Sequence, residues 1–95
     1  MQLVKTGIAG TMESGDILIE ITKADQPGID ISLESTVGNQ YGRQIKAAIR
    51  ESVMACGLDG VHVKAVDKGS LDCIIRARVA AAAYRGCECT DYRWE

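Results

Sequence analysis

The sequence predicts an α+β fold, a two-layer α/β sandwich in the order (β)ββαβα, with a small, mostly antiparallel sheet covered by two helices. Three segments alternate apolar and polar residues, which is the period of two typical of a half-buried strand. Two others repeat apolar residues in steps of three and four, the period of a helix with one buried side. A sheet face and two helix faces all need cover, and packing the helices on the sheet supplies it.

The first two strands are predicted over residues 16–22 and 29–34, where apolar residues take every second position. Residues 23–28 between them have the composition of a turn. The two strands are therefore expected to form an antiparallel hairpin with one apolar face. Residues 3–9 are a weaker candidate for a further edge strand, because glycine such as Gly7 disfavours a regular strand.

A helix of about five turns is predicted between Val37 and Cys56, where apolar residues follow helical spacing. Ser35 or Thr36 is placed to cap its start, because a hydroxyl there accepts a hydrogen bond from the free N–H groups of the first turn. Gly57 is placed to end the helix in the left-handed conformation.

The remaining elements are a third strand over residues 61–65 and an alanine-rich second helix that runs to about Arg85. Ser70 is the expected N-cap of this helix, and Asp72 suits the positive end of the helix dipole in its first turn. Gly86 is expected to end the helix. A strand–helix–strand connection of this kind is right-handed when its two strands are parallel.

The chain has 95 residues, too few for two independent cores, so a single domain is predicted over residues 1–86. Residues 87–95 have no period and are expected to form a loosely ordered tail. Apolar residues make up 46% of the chain but include no phenylalanine. The core is therefore expected to consist of isoleucine, valine, leucine and alanine.

The charge balance is 11 basic against 13 acidic side chains, a net charge of -2. This argues against nucleic-acid and membrane-surface partners, which usually require a basic excess. No segment approaches the roughly 20 apolar residues of a membrane span, and the first five residues lack the pattern of a secretory signal. The cysteines lie in helical patterns and a polar tail rather than in a disulfide framework. A reduced, cytoplasmic protein is predicted.

One histidine and four cysteines leave little for acid–base catalysis, so a module that serves other proteins is predicted rather than a self-contained enzyme. His62 is expected to be a solvated or edge side chain, since no orienting partner can be placed beside it. Together with Cys87 and Cys89 it does not match the paired spacing of structural zinc sites, so no metal site is predicted. Cys56 and Cys73 are expected in the core.

The least usual local segment is the glycine-rich stretch at residues 7–16. It lacks the Gly-Lys-Ser/Thr end of a phosphate-binding loop. On local chemistry alone, Ser14 is a turn residue whose hydroxyl serves nearby backbone groups. Asp16 and Glu20 are then expected to be solvated carboxylates.

Three segments together resemble the citrate lyase acyl carrier protein family: residues 9–16 (Ala-Gly-Thr-Met-Glu-Ser-Gly-Asp), residues 40–45, and residues 66–78 (Val-Asp-Lys-Gly-Ser-Leu-Asp-Cys-Ile-Ile-Arg-Ala-Arg). The last is the most specific of the three. Order, spacing and length agree with the family over about residues 7–85. Val66 and Ser70 stand where the family often has an acid and an alanine, and the C-terminal tail is unlike it.

The resemblance implies that Ser14 carries a phosphoribosyl-dephospho-CoA arm through a phosphodiester, and that the chain has no catalytic residue of its own. A modifying enzyme would supply the base that activates the hydroxyl. Gly15 leaves the approach to Ser14 unhindered, while the roles of Glu13 and Asp16 stay open between transferase recognition and solubility. The arm's thiol would carry acetyl and citryl thioesters during the cleavage of citrate to acetate and oxaloacetate.

The partners implied by the resemblance are the alpha subunit, an acyl transferase, and the beta subunit, a citryl lyase. A holo-carrier synthase would attach the arm, and an acetate ligase would serve the complex. No nucleic-acid or membrane partner is implied. Lys68, Arg76 and Arg78 are expected to form a basic patch near the second helix. This patch is either a solvated helix face or a surface for docking or for the arm's phosphates.

Three functions are alternatives to the carrier role that the resemblance implies. A fatty-acid or polyketide carrier is a helical bundle, which the predicted strands disfavour. A regulatory or assembly domain without a covalent group has no feature against it in the fold pattern, because fold does not determine function. A small stand-alone enzyme would show turnover by the purified chain, and none is expected.

Overall fold

The computed structural model describes residues 3–35 and 41–87. The elements in chain order are β1 (Gly7–Ala9), β2 (Ile17–Lys23), β3 (Ile29–Ser35), α1 (Gly42–Ala55), β4 (Val61–Asp67) and α2 (Asp72–Gly86). The predicted order and the α+β class are confirmed: four strands form one mixed sheet, and both helices pack on it.

The strands lie in the order β1-β2-β4-β3, with antiparallel β1–β2 and β2–β4 pairs and a parallel β3–β4 pair. The sheet is mostly antiparallel, as predicted, but the predicted β2–β3 hairpin is wrong because β4 lies between the two strands. The connection from β2 to β3 has to cross two interstrand spacings, about 10 Å. It passes the start of β4, where the N–H of Ala24 donates to the Gly60 carbonyl at 2.8 Å and that of Val61 to the Gly28 carbonyl at 3.1 Å.

The helix-covered face of the sheet carries the alternating apolar residues. Ile17, Ile19 and Ile21 are completely buried, and the register places Ile19 opposite Ala65 and Ile21 opposite Val63. Full burial of one such side chain contributes about 1.5–3 kcal/mol. The core is aliphatic, as the composition predicts.

The edge strand β1 contains glycine because α2 passes very close to it. A side-chain carbon on Gly7 would collide with the Ala82 carbonyl of α2, and one on Gly86 would collide with the Leu3 side chain. The Gly86 carbonyl accepts hydrogen bonds from the N–H groups of Val4 and Lys5 at 2.9 and 3.0 Å. Strand β1 has three residues, fewer than the predicted residues 3–9. The close packing of α2 explains why it contains glycine.

Neither serine predicted as an N-cap takes that position. Helix α1 begins with Tyr41 as N-cap and α2 with Leu71, and neither cap makes a side-chain hydrogen bond. Ser35 is the last residue of β3, and its hydroxyl and that of Ser70 both donate to the Asp67 carboxylate, at 3.0 and 2.6 Å. A buried carboxylate competes successfully for these hydroxyls.

The ends of the two helices agree better with the sequence. Gly57 follows α1 with φ +73°, as predicted, and α2 ends at Gly86. The described part of α1 has 14 residues, and the predicted start at Thr36 and Val37 lies outside the described residues. Neither helix is long and apolar enough to cross a membrane, as far as the described residues extend.

The cysteines are only partly where the pattern places them. Cys56 is half-buried and packs against the core, but Cys73 is exposed, so its predicted core position is wrong. Cys87, predicted to begin a loose tail, packs against the core directly after α2. The rest of the predicted tail lies outside the described residues.

Candidate functional site

Ser14 lies in the loop of residues 10–16 that joins β1 to β2, here called the Ser14 loop. Its side chain is exposed. The N–H of Asp16 donates to the Glu13 carbonyl at 3.0 Å, which closes a turn with Ser14 and Gly15 at the centre. Gly15 has φ +85°, the conformation that a type II turn requires after its first central residue. The turn therefore presents the Ser14 hydroxyl outward.

The carboxylate of Asp16 accepts hydrogen bonds from residues at both ends of this loop. One oxygen accepts from the N–H and the hydroxyl of Thr11, at 3.1 and 2.8 Å, and the other from the N–H of Ile17 at 2.7 Å. The base of the loop is also tight at Gly10, which has φ +96° and where a side-chain carbon would collide with the Ile17 carbonyl. Local hydrogen bonds therefore close the loop at both ends.

Arg78 of α2 binds the same carboxylate with both arms of its guanidinium. Its Nε donates to one Asp16 oxygen at 3.0 Å and a terminal nitrogen to the other at 3.1 Å. The Asp16 side chain is 14% exposed, so the prediction of a solvated carboxylate is wrong. The hydrogen bonds from Arg78, followed by those from Thr11 and Ile17, outweigh desolvation and lower the pKa of Asp16 to about 2. Asp16 is thus ionised at neutral pH.

The connection between β4 and α2 holds the tip of the loop. The N–H of Gly15 donates to the Lys68 carbonyl at 2.7 Å, and the N–H of Lys68 donates to the Asp16 carbonyl at 2.9 Å. These bonds continue the β2–β4 ladder by one step beyond Ile17 and Asp67. The loop that presents Ser14 is therefore fixed to the start of β2, to α2 and to the β4–α2 connection.

The surroundings of Ser14 fit a bulky group attached to its oxygen. Its hydroxyl makes no hydrogen bond to another described residue, and a side-chain carbon added at Gly15 would meet nothing within 4 Å. His62 lies toward the far end of β4, about 16 Å from Asp67 along the strand, so it cannot act as a base for Ser14. The Ser14 hydroxyl is therefore accessible, and His62 is too far away to activate it.

Arg76 and Arg78 do not form the predicted common basic patch. Arg76 pairs with Asp72 at 2.7 Å and with Glu51 of α1 at 2.8 Å, and these acids raise its pKa. Arg78 points instead to the Ser14 loop. Two residues along a helix differ by about 200° in direction, which separates the two guanidinium groups.

His62 is neither at a sheet edge nor without a partner. It lies on the central strand β4, half-buried, with its Nδ1 2.9 Å from a carboxylate oxygen of Asp30 on β3. Among residues 3–35 and 41–87, no three histidine, cysteine, aspartate or glutamate side chains converge in a way that would hold a metal ion.

Two roles were missed by sequence reasoning, those of Arg78 as a partner of the Ser14 loop and of Asp67 as a buried acceptor. Asp67 is 1% exposed. Burial raises its pKa, but hydrogen bonds from Ser70 and Ser35 outweigh burial and lower it. The available signal was that both residues fall in segments that carry the family resemblance. That signal does not say what either residue contacts.

Comparison with known proteins gives consistent matches over nearly the whole chain. A family model named ACP, described as malonate decarboxylase delta subunit (MdcD), matches residues 4–86. The chain is 43% identical over 94 residues to the citrate lyase acyl carrier protein of Escherichia fergusonii, covering 99% of the chain and 97% of the relative. It is 50% identical over 91 residues to that of Lactobacillus acidophilus, covering 96% and 93%. For Streptococcus uberis the identity is 45% over 95 residues, covering 100% and 93%.

Proposed function

The chain belongs to the acyl carrier family that the malonate decarboxylase delta subunit model describes, and we propose from this that it is the acyl carrier subunit of a citrate lyase complex. The relatives of 43–50% identity that carry the name citrate lyase acyl carrier protein support this assignment. The single structural observation behind it is the exposed Ser14 hydroxyl on a loop fixed by Asp16.

The proposal makes Ser14 the attachment point of a phosphoribosyl-dephospho-CoA arm, bound through a phosphodiester. When attached, the arm supplies a thiol that carries acetyl and citryl groups as thioesters while citrate is cleaved to acetate and oxaloacetate. The chain's own residues present the attachment point: Gly15 leaves space beside the oxygen, and Asp16 and Arg78 hold the loop. No residue of the chain has a catalytic role in this proposal.

The value of such a carrier lies in proximity. A tethered thioester meets each active site at a high local concentration instead of by diffusion from solution. The proposal therefore includes an alpha subunit with acyl transferase activity, a beta subunit with citryl lyase activity, a holo-carrier synthase and an acetate ligase. It also includes a cytoplasmic location.

The alternative is a regulatory or assembly domain that carries no covalent group. Intact mass separates the two possibilities. Co-expressed with its cognate transferase, the chain is expected to gain the mass of one phosphoribosyl-dephospho-CoA unit. Ser14→Ala should abolish this gain, whereas Ser32→Ala, which removes an exposed hydroxyl from β3, should leave it unchanged.

An unchanged mass of the wild-type chain would favour the regulatory domain, and a gain that persists in Ser14→Ala would move the attachment to another residue. The purified chain alone is expected to show no turnover of citrate. Turnover by the chain alone would contradict the carrier assignment.

A further inference from the structure

A cleft of about 270 Å³ lies between the first turns of α1 and α2. Tyr41 and Ile45 line it on the side of α1, and Ile75 lines it on the side of α2. Gly69 and Ser70 of the β4–α2 connection close one end. The volume and the aromatic and aliphatic walls suit a slender organic chain.

The cleft and the Ser14 loop share the β4–α2 connection. The Lys68 carbonyl accepts the hydrogen bond from Gly15, and Gly69, the next residue, lines the cleft. Standard backbone dimensions together with this bond place the Cα atoms of Ser14 and Gly69 within roughly 8 Å of each other. A long flexible group on Ser14 therefore reaches the cleft without any movement of the fold.

The charges of the cleft are all of one sign among the described residues that line it. Asp67 and Asp72 contribute carboxylates, and no lysine or arginine is among these lining residues. Arg76 pairs with Asp72 from outside the cleft, but it is shared with Glu51, so the carboxylates around the cleft still outnumber the cations that pair with them. Hydrogen bonds from Ser70 and Ser35 keep Asp67 ionised although it is buried. Such a cleft disfavours phosphates and carboxylates because like charges repel, and the repulsion is strongest close to the buried Asp67.

We propose that this cleft receives the uncharged, thiol-bearing end of the arm on Ser14 when the thiol is free or acetylated, and that an acyl group with carboxylates is disfavoured there. The inference rests on the proposed function for the identity of the occupant. Gln44, Tyr41 and Ser70 offer polar atoms at the cleft for the amides of such a chain. A citryl group keeps two carboxylates after thioester formation and would meet Asp67 and Asp72.

The consequence is a carrier that shelters one acyl state and exposes the other. Tethering raises the effective concentration of the arm to the millimolar range, so even weak intrinsic affinity gives partial occupancy. An acetyl thioester in the cleft is shielded from nucleophiles in solution between visits to the partner subunits. A citryl thioester stays outside and available.

The first test uses two free probes with the unmodified chain and amide NMR spectra. S-acetylpantetheine at millimolar concentration is expected to shift the amide signals of Ile45, Gly69 and Ile75. S-malonylpantetheine, whose acyl group differs from acetyl by one carboxylate, should bind several-fold more weakly. Neither probe requires Ser14 to be modified, so this measurement is independent of the proposed function.

A matched pair of variants locates the site. Gln44→Trp places a large side chain at the cleft from an exposed position and is expected to reduce binding of S-acetylpantetheine several-fold. Lys46→Trp introduces the same large side chain, with the loss of one positive charge, at another exposed position of α1 outside the cleft lining, and should bind like the wild-type chain. Both variants leave the buried residues of α1 unchanged.

The second test uses the chain that carries the arm, with loading established by intact mass. The same amide signals should shift relative to the unloaded chain, and hydroxylamine should cleave the acetyl thioester several-fold faster in Gln44→Trp than in Lys46→Trp.

The inference would be overturned, with the carrier function intact, if intact mass showed that the arm is attached while the cleft signals did not shift and the two variants were cleaved at equal rates. If no arm is gained, the carrier function fails, and the free probes still decide whether the cleft binds this chemical class. Equal binding of both probes would overturn its selectivity.

Discussion

Arg78 on α2 holds both carboxylate oxygens of Asp16, through hydrogen bonds of 3.0 and 3.1 Å between residues 62 positions apart in the chain. A two-pronged contact of this kind combines charge with a defined orientation. Because Asp16 also binds Thr11 and Ile17, the pair links the loop that presents Ser14 to the helix that covers the sheet. Ser14, the proposed attachment point, is thus positioned by a tertiary contact.

Asp16→Asn is expected to lower the free energy of unfolding at pH 7 by about 1–3 kcal/mol, because a hydrogen-bonded charge partner of Arg78 is lost. The transferase should also load Ser14 more slowly, since the loop loses its internal anchor. Urea denaturation and a time course of intact mass measure the two effects. Glu13→Gln, at an exposed position of the same loop, serves as the control and should change stability by less than about 0.5 kcal/mol. Wild-type behaviour of Asp16→Asn in both measurements would contradict this role.

The low pKa of Asp16 predicts a specific loss of stability in acid. Its pKa is about 2 in the folded chain and has an ordinary value of 3.8, so the unfolded chain binds the proton first as pH falls. The difference corresponds to at most about 2 kcal/mol, because water screens the Arg78 side chain, which is 41% exposed. This stability is present above about pH 5 and lost as the pH falls toward 2. Denaturation curves between pH 5 and pH 2 should show a smaller decrease for Asp16→Asn than for the wild-type chain. Parallel curves for the two proteins would contradict the prediction.

Two glycine-to-alanine changes should have opposite effects on stability. In Gly7→Ala the new methyl group meets the Ala82 carbonyl, and forcing β1 and α2 apart should cost a few kcal/mol. In Gly42→Ala the methyl group meets nothing within 4 Å, and the first turn of α1 gains up to about 1 kcal/mol from the better helix former. Thermal unfolding of both variants checks this. Equal melting temperatures would mean that β1 and α2 do not pack as closely as described.

The thiols should react with iodoacetamide in an order set by exposure and pKa. Cys73 is exposed, while burial, followed by the nearby Cys87, raises the pKa of the half-buried Cys56. Because the thiolate is the reactive form, Cys73 should be labelled faster. Trypsin separates the two cysteines into the peptides 69–76 and 51–64, so mass spectrometry follows each rate. In urea the rates should converge, and similar rates in the folded chain would contradict the burial of Cys56.

The sequence alone determined the class of the fold and the element that carries each motif. Ile17, Ile19 and Ile21 alternate with more polar positions and are buried in a strand. Gly57 follows a helix at the left-handed position that favours glycine. These features depend on neighbours within a few residues, where spacing and backbone preference act directly. The motif around Ser14 also identified the candidate attachment point, because the family resemblance is contained in contiguous segments.

Tertiary structure decided what lies beside what. The position of β4 between β2 and β3 excludes the hairpin that a short turn suggested, because the β3–α1–β4 connection places β4 next to β3. The hydroxyls of Ser35 and Ser70 donate to the Asp67 carboxylate and do not cap the helices for which the sequence predicts them. Arg78 reaches Asp16 only when α2 lies on the sheet. These contacts join residues far apart in the chain, and local spacing carries no information about them until the packing of the core brings them together.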